Sequence, residues 1–223
     1  MASGEDLSEY FTGTHEVEEC LDCEGEADPP LSSKVCKKSH EGFIVADKFT
    51  IEHLPVGYQD NDLYDLVNAM AGLTVQIKVK YTSADRPELI PGTEDLYPCS
   101  KYKGEKRVMF YVTGRVWMVR KYMEGMDGYR TSPCASVGHT CTAGQDLWLV
   151  DVMTSRHVVF DAIEARNSTC RLWYDNGQSP KVNIDGWKVG VSNTDQDICV
   201  LHCVTHDPDV AQKLSKTRQL FVR

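Results

Sequence analysis

Hydrophobic residues change their spacing once along this chain, and that change divides it. Residues 1–42 are polar and acidic, with Pro29-Pro30 and few large apolar side chains. They are expected to stay disordered unless a metal folds them. Over 59–73 the apolar residues fall at helical spacing: Leu63, Leu66, Val67 and Met70 share one face. Asp60 or Asp62 is placed to cap that helix, and Gly72 to stop it. From Thr74 the period becomes two. Over 74–81, Val75, Ile77, Val79 and Tyr81 alternate with Gln76, Lys78 and Lys80, the signature of a half-buried strand.

Residues 85–104 hold three prolines and two glycines and read as a long loop. Five more strand-like runs follow, at 107–121, 147–154, 169–174, 181–191 and 198–204. The first is interrupted at Gly114, where a bulge or bend is expected. The third ends in the turn signal Asp175-Asn176-Gly177. Strands not alternating with helices exclude a parallel α/β sheet. Six antiparallel strands can close on themselves and so remove their exposed edges. The predicted fold is therefore mainly β, a six-stranded antiparallel barrel preceded by an α-helix and followed by a short C-terminal helix leading out of it. The domain reading is a tail over 1–42, a helical lead-in over 43–73, and the barrel with its C-terminal helix over 74–223. Trp117, Trp148, Trp173 and Trp187, spread over four strands, read as barrel core rather than a ligand cage.

Charge sharpens the division. The chain has 33 Asp+Glu against 24 Lys+Arg, a formal net charge of −9. Ten of the carboxylates lie within residues 1–30, which hold no Lys or Arg; removing them leaves 23 acidic against 24 basic side chains. The body is thus nearly neutral, without the basic stripe that a nucleic-acid partner requires. The N-terminus lacks the basic start and apolar run of a secretory signal, and no stretch approaches the ~18 apolar residues of a membrane helix. These features predict a cytoplasmic protein with protein or peptide partners. The sequon Asn167-Ser168-Thr169 would then stay unused.

The nine cysteines are an odd number, expected to be buried thiols or metal ligands rather than a disulfide framework. Cys20, Cys23, Cys36 and His40 have the spacing of a structural zinc site, a CxxC followed by a Cys and a His. Zinc would supply folding energy that so polar a segment cannot gain by burial; plain disorder is the alternative. A second set, Cys134, His139, Cys141, Cys199, Cys203 and His206, carries the same potential only if the segments meet. Small buried core residues are the simpler reading for its cysteines.

Two runs carry candidate catalytic chemistry: Thr154-Ser155-Arg156-His157-Val158-Val159-Phe160 and Asp197-Ile198-Cys199-Val200-Leu201. A histidine and an aspartate at strand ends can pair so that the carboxylate fixes the imidazole tautomer, the base half of a Ser-His-Asp system. The alternative is a turn histidine and a strand-capping aspartate.

Together the two runs resemble the Thr-x-Ala-His-Val-Val/Cys and Asp-Ile-Ala-Leu-Leu motifs of trypsin-like serine proteases. The chain is also similar to trypsin-like proteins of molluscs bearing His-Val-Val-Phe-Asp and Cys-Arg-Leu-x-Tyr-Asp runs. The resemblance covers about residues 50–223. It implies that 74–83, 107–121 and 147–157 are the first three strands of a first barrel, that His157 is a general base and that Asp197 is its orienter. The nucleophile breaks the pattern. The family's Gly-x-Ser-Gly, expected on a second barrel, is absent from this sequence. Ser179 is followed by Pro180, and Ser215 falls in a predicted helix. The resemblance thus implies a truncated protease whose serine lies beyond Arg223, or a pseudo-protease. The alternatives are a non-catalytic interaction module using barrel and acidic tail, and a zinc-stabilised binding domain unrelated to proteases. Arg156 also departs from the small residue that the family carries before its histidine.

Overall fold

In the computed structural model, residues 18–20 are described by their backbone, and 44–106, 109–123, 133–134, 145–175, 179–180, 182–194 and 196–222 complete the described set. The first regular helix, α1 (Asn61–Leu73), begins where Asp60 accepts hydrogen bonds from the backbone N–H groups of Asp62 and Leu63. That satisfies two of the donors a helix start leaves unpaired. Its end differs from the expectation. Gly72 does not stop the helix, which runs through Leu73 straight into strand β2 (Thr74–Val79). Gly72 instead gives the C-terminal helix room: a Cβ there would lie 3.2 Å from Thr217 Cγ2. The buried face also differs. Ala69 and Leu73 are buried, whereas Leu66 and Met70 are exposed.

Five more strands complete a closed barrel: β3 (Met109–Lys121), β4 (Trp148–Ser155), β5 (Ser168–Leu172), β6 (Val182–Asn193) and β7 (Ile198–Thr205). All pairings are antiparallel, and the order around the barrel is β2-β3-β4-β7-β6-β5, with β5 returning to β2. The predicted mainly-β, six-stranded antiparallel barrel is the fold observed. A further strand was not foreseen: β1 (Glu18–Cys20), inside the acidic tail, pairs with Met109–Tyr111 on the part of β3 that β4 leaves uncovered.

Alternation turns Val75, Ile77, Val150, Val152, Leu201 and Cys203 inward, all at most 2% exposed. Gly114 faces inward too. It opens no bulge; the register of β3 against β4 slips later, between Val116 and Met118. At Gly114 a Cβ would come within 2.7 Å of Ile77 Cδ1 and 2.8 Å of Val152 Cγ1, so the glycine is required by crowding. The tryptophans do not fill the barrel interior. Trp187 is buried in a separate cluster with Leu147, Leu149 and Val204, Trp117 is 43% exposed, and Trp173 packs part-buried against the main core.

Two further helices complete the described chain. The short α2 (Ala162–Arg166), which periodicity did not reveal, is capped by the Asp161 side chain at the amides of Ile163 and Glu164. The last, α3 (Pro208–Phe221), is capped by Asp207. It does not lead away from the barrel. Leu214 is fully buried in the main core, and the Arg218 Nε donates to the Trp117 carbonyl at 2.5 Å. Burying a leucine contributes about 1.5–3 kcal/mol, enough to hold a two-element contact in place. Among the described residues no helix is long and apolar enough to cross a membrane.

Candidate active site

Strand β4 ends at Ser155, and the chain turns through Arg156, His157 and Val158 before α2. Strand β7 begins at Ile198, so Asp197 stands immediately before it. Because Thr154 pairs with Cys199 and Ser155 with Ile198, the register of β4 against β7 delivers the two residues to the same end of the barrel. Asp197 takes the left-handed backbone conformation, φ 50°, which Asp tolerates better than most residues.

The pair is joined at two points. Asp197 Oδ1 accepts the His157 backbone N–H at 2.9 Å, and Oδ2 lies 2.5 Å from His157 Nδ1. The Arg156 N–H also donates to the Asp197 carbonyl at 3.2 Å. An ionised carboxylate only accepts, so Nδ1 carries the imidazole proton and Nε2 is the ring's basic atom. The His157 side chain is 9% exposed and that of Asp197 26%. This is the juxtaposition that the two sequence runs predicted, and it can hold a proton acceptor in one tautomer.

Its surroundings are charged and aromatic. Arg156 reaches sideways, Nη1 donating to Ser192 Oγ at 3.1 Å with its guanidinium 5.0 Å from the Phe160 ring centre. Tyr97 meets Phe160 edge-on at 5.9 Å. Burial pushes the Tyr97 phenol up to about 12, against the opposing pull of the Arg86 charge. Burial likewise pushes the Cys199 thiol up to about 12, partly offset by Arg156. Cys199 is therefore an inert core thiol near the pair rather than a thiolate.

Beneath the turn lies an ion pair that sequence reading missed. Arg86 and Glu164 have side chains fully buried, joined at 2.6 Å (Nε to Oε1) and 2.7 Å (Nη2 to Oε2). Burial pulls the Arg86 pKa down, but the hydrogen bond and charge of Glu164 outweigh it and hold the guanidinium above its ordinary value. Ser83 Oγ is bonded to Asp161 Oδ2 alongside. No local signal marks Arg86 in a loop rich in Pro and Gly; the partners are 78 residues apart.

A second His–Asp pair was also missed. His202 Nδ1 lies 2.6 Å from Asp151 Oδ1, between residues directly opposite on β7 and β4. Arg120 Nη2 approaches Asp151 Oδ2 at 3.5 Å. Period-two alternation placed both residues on one face of the sheet, and that was the available signal.

The zinc candidates fall differently. Cys20 ends β1. Its side chain, with Cys23, Cys36 and His40, lies outside the described residues. Among the described residues no group of three or more His, Cys, Asp or Glu could hold a metal ion. Of the second set, Cys199 and Cys203 are buried thiols inside the barrel, as the core reading had them. Cys134 Sγ sits 3.3 Å from His206 Nε2, so those two segments do meet. Cys134, however, is disulfide-bonded rather than a thiol. His139 and Cys141 lie outside the described residues.

No family model, curated protein or solved structure matches the chain. The trypsin-like and mollusc resemblances therefore rest on the motifs quoted from the sequence.

Proposed function

We propose that this chain carries the base half of a trypsin-like serine peptidase, with His157 as general base and Asp197 as its orienter. The observation behind this reading is the two-point contact of Asp197 with His157, at the ring Nδ1 and at the backbone N–H. A carboxylate that only capped a strand would have no need to grip the ring as well. The barrel adds support: the first three of its six strands are those the resemblance implied, and the third leads into His157. In such a system Nε2 takes the nucleophile's proton, and the carboxylate stabilises the imidazolium that forms. A serine outside these 223 residues would complete the triad, because Ser179, though preceded by Gly177-Gln178, is followed by Pro180 rather than the glycine that leaves a backbone N–H for an oxyanion hole, and Ser215 lies in α3.

The test is labelling with a fluorophosphonate probe. The chain alone is expected to stay unlabelled and to leave peptides uncut. A longer product of the same reading frame carrying Gly-x-Ser-Gly is expected to label, and to lose the label in His157→Ala. Labelling of a serine within residues 1–223 that survives His157→Ala sinks the assignment. The missing Gly-x-Ser-Gly favours a second reading, a non-catalytic interaction module in which the same pair is structural. That reading predicts that no product of the frame is labelled.

A further inference from the structure

We propose that Arg86, through its buried pair with Glu164, is the positioning residue for His157; this rests on the reading of His157 as a general base. Strand pairing ends at Ser155, so the turn that follows has no ladder to fix it. Its local hydrogen bonds are few: the Val158 and Val159 N–H groups both reach back to the Ser155 carbonyl, at 3.1 and 3.4 Å. The two buried ions supply what the ladder does not. Arg86 Nη1 donates to the His157 carbonyl at 2.8 Å and to the Pro98 carbonyl at 2.9 Å, and Nη2 to the Val158 carbonyl at 3.3 Å. Glu164 accepts from the Phe160 N–H and the Ser83 N–H, each at 2.9 Å.

The distribution of these bonds argues for placement rather than for stability alone. Desolvating two full charges offsets much of their attraction, and an apolar pair of similar volume commonly stabilises as well. Only a planar guanidinium can grip a carboxylate with one edge and hold carbonyls 98, 157 and 158 with its remaining N–H groups. His157 is consequently held at both ends of its own backbone: its C=O by Arg86 and its N–H by Asp197. With Nδ1 also on Asp197, the direction of Nε2 is set by three fixed points. Faces of Tyr97 and Phe160, each 5.8 Å from the Arg86 guanidinium carbon, cover the cation. Outer-shell groups of this kind hold a reacting side chain to its working geometry.

The deciding variant is Arg86→Lys in the full chain. It keeps the charge beside Glu164 but cannot reach three carbonyls at once. The readout is the Nδ1–H signal of His157 in nitrogen-labelled protein observed by NMR, with that of His202 as the internal control. Loosening the Asp197 contact is expected to open the Nδ1–H proton to exchange with water. The Nδ1–H signal is expected to broaden, while His202 stays unchanged. An Nδ1–H signal coincident with that of the parent would overturn the proposal. A second variant, Arg86→Met with Glu164→Leu, removes both charges and keeps the volume; a retained Nδ1–H signal there overturns it equally. None of these readouts uses peptidase activity, so failure of the general-base reading would show separately, as an unlabelled full-length product in which Arg86 still governs the ring.

Discussion

Two His–Asp pairs join the same two strands, β4 and β7, and they are built in opposite ways. Asp151 and His202 are cross-strand neighbours, set face to face by register alone, with the sheet continuing on both sides. His157 and Asp197 stand just past the strand ends, where the register stops and a turn, a left-handed residue and a buried ion pair take over. The sheet pair is closed in: its histidine ring lies over Gly190, where a Cβ would fall 2.3 Å from Nε2. Its aspartate is 7% exposed against 26% for Asp197. The two rings are about equally buried, 11% exposed for His202 and 9% for His157, so it is the carboxylate alone that is more open past the strand ends. What differs is how far the backbone around them is committed to hydrogen-bonding itself.

The largest separation of the two regions is expected from Glu164→Leu. It strands the buried Arg86 charge and is expected to cost about 3–5 kcal/mol in denaturant unfolding. The loss should disturb the His157 resonances and spare those of His202. Equal disturbance of both pairs would mean that they are one cooperative unit. Gly190→Ala is expected to act in the other direction. Overpacking against His202 should cost about 1–3 kcal/mol and break only the sheet pair. A variant as stable as the parent, with the His202–Asp151 contact intact, would show that the ring can move aside freely.

Alkali sharpens the contrast between buried and open groups. Tyr97 and Cys199 both titrate near 12 in the folded chain, above their ordinary 10.0 and 9.0. The unfolded chain therefore releases these protons first. Their contribution is complete below pH 9 and is lost as pH rises from 9 toward 12, at up to about 1.4 kcal/mol per pH unit for each group. Cys199→Ala should flatten that slope between pH 9 and 12; an unchanged slope removes Cys199 as a cause. The smallest effect on stability is expected from Asp197→Asn. Asn also tolerates the left-handed backbone and can still accept the His157 N–H, so the cost is about 1 kcal/mol. The Nδ1–H signal of His157 should nevertheless broaden, since the charged acceptor that holds it is gone. A signal as sharp as the parent's would deny Asp197 its orienting role.

Much of the barrel was legible because period-two alternation is a local property. All six strands were found from it, with ends shifted by at most two residues, and the cap at Asp60 followed from side-chain chemistry. The errors arose where neighbours decide. Gly72 and Gly114 were read as breakers, yet each is a glycine because something packs against it: Thr217 in one case, Ile77 and Val152 in the other. The C-terminal helix was recognised, but its direction depended on Leu214 finding the core. At the candidate site, His157 and Asp197 could be named because each ends or begins a strand. Arg86, Glu164 and the 151–202 pair could not, because nothing within a few residues of them foretells a partner 51 or 78 positions away.

By itself, then, the sequence determined the elements, their antiparallel kind and the two side chains able to form a base. Spacing and side-chain chemistry act over a few residues, and a chain carries that information directly. Only the tertiary structure decided which charges are buried together, which glycines are forced and which His–Asp pair lies within the sheet and which past the strand ends. Those outcomes depend on registers and crossings that bring distant residues within 3 Å, where burial turns an ordinary arginine into the clamp on a turn.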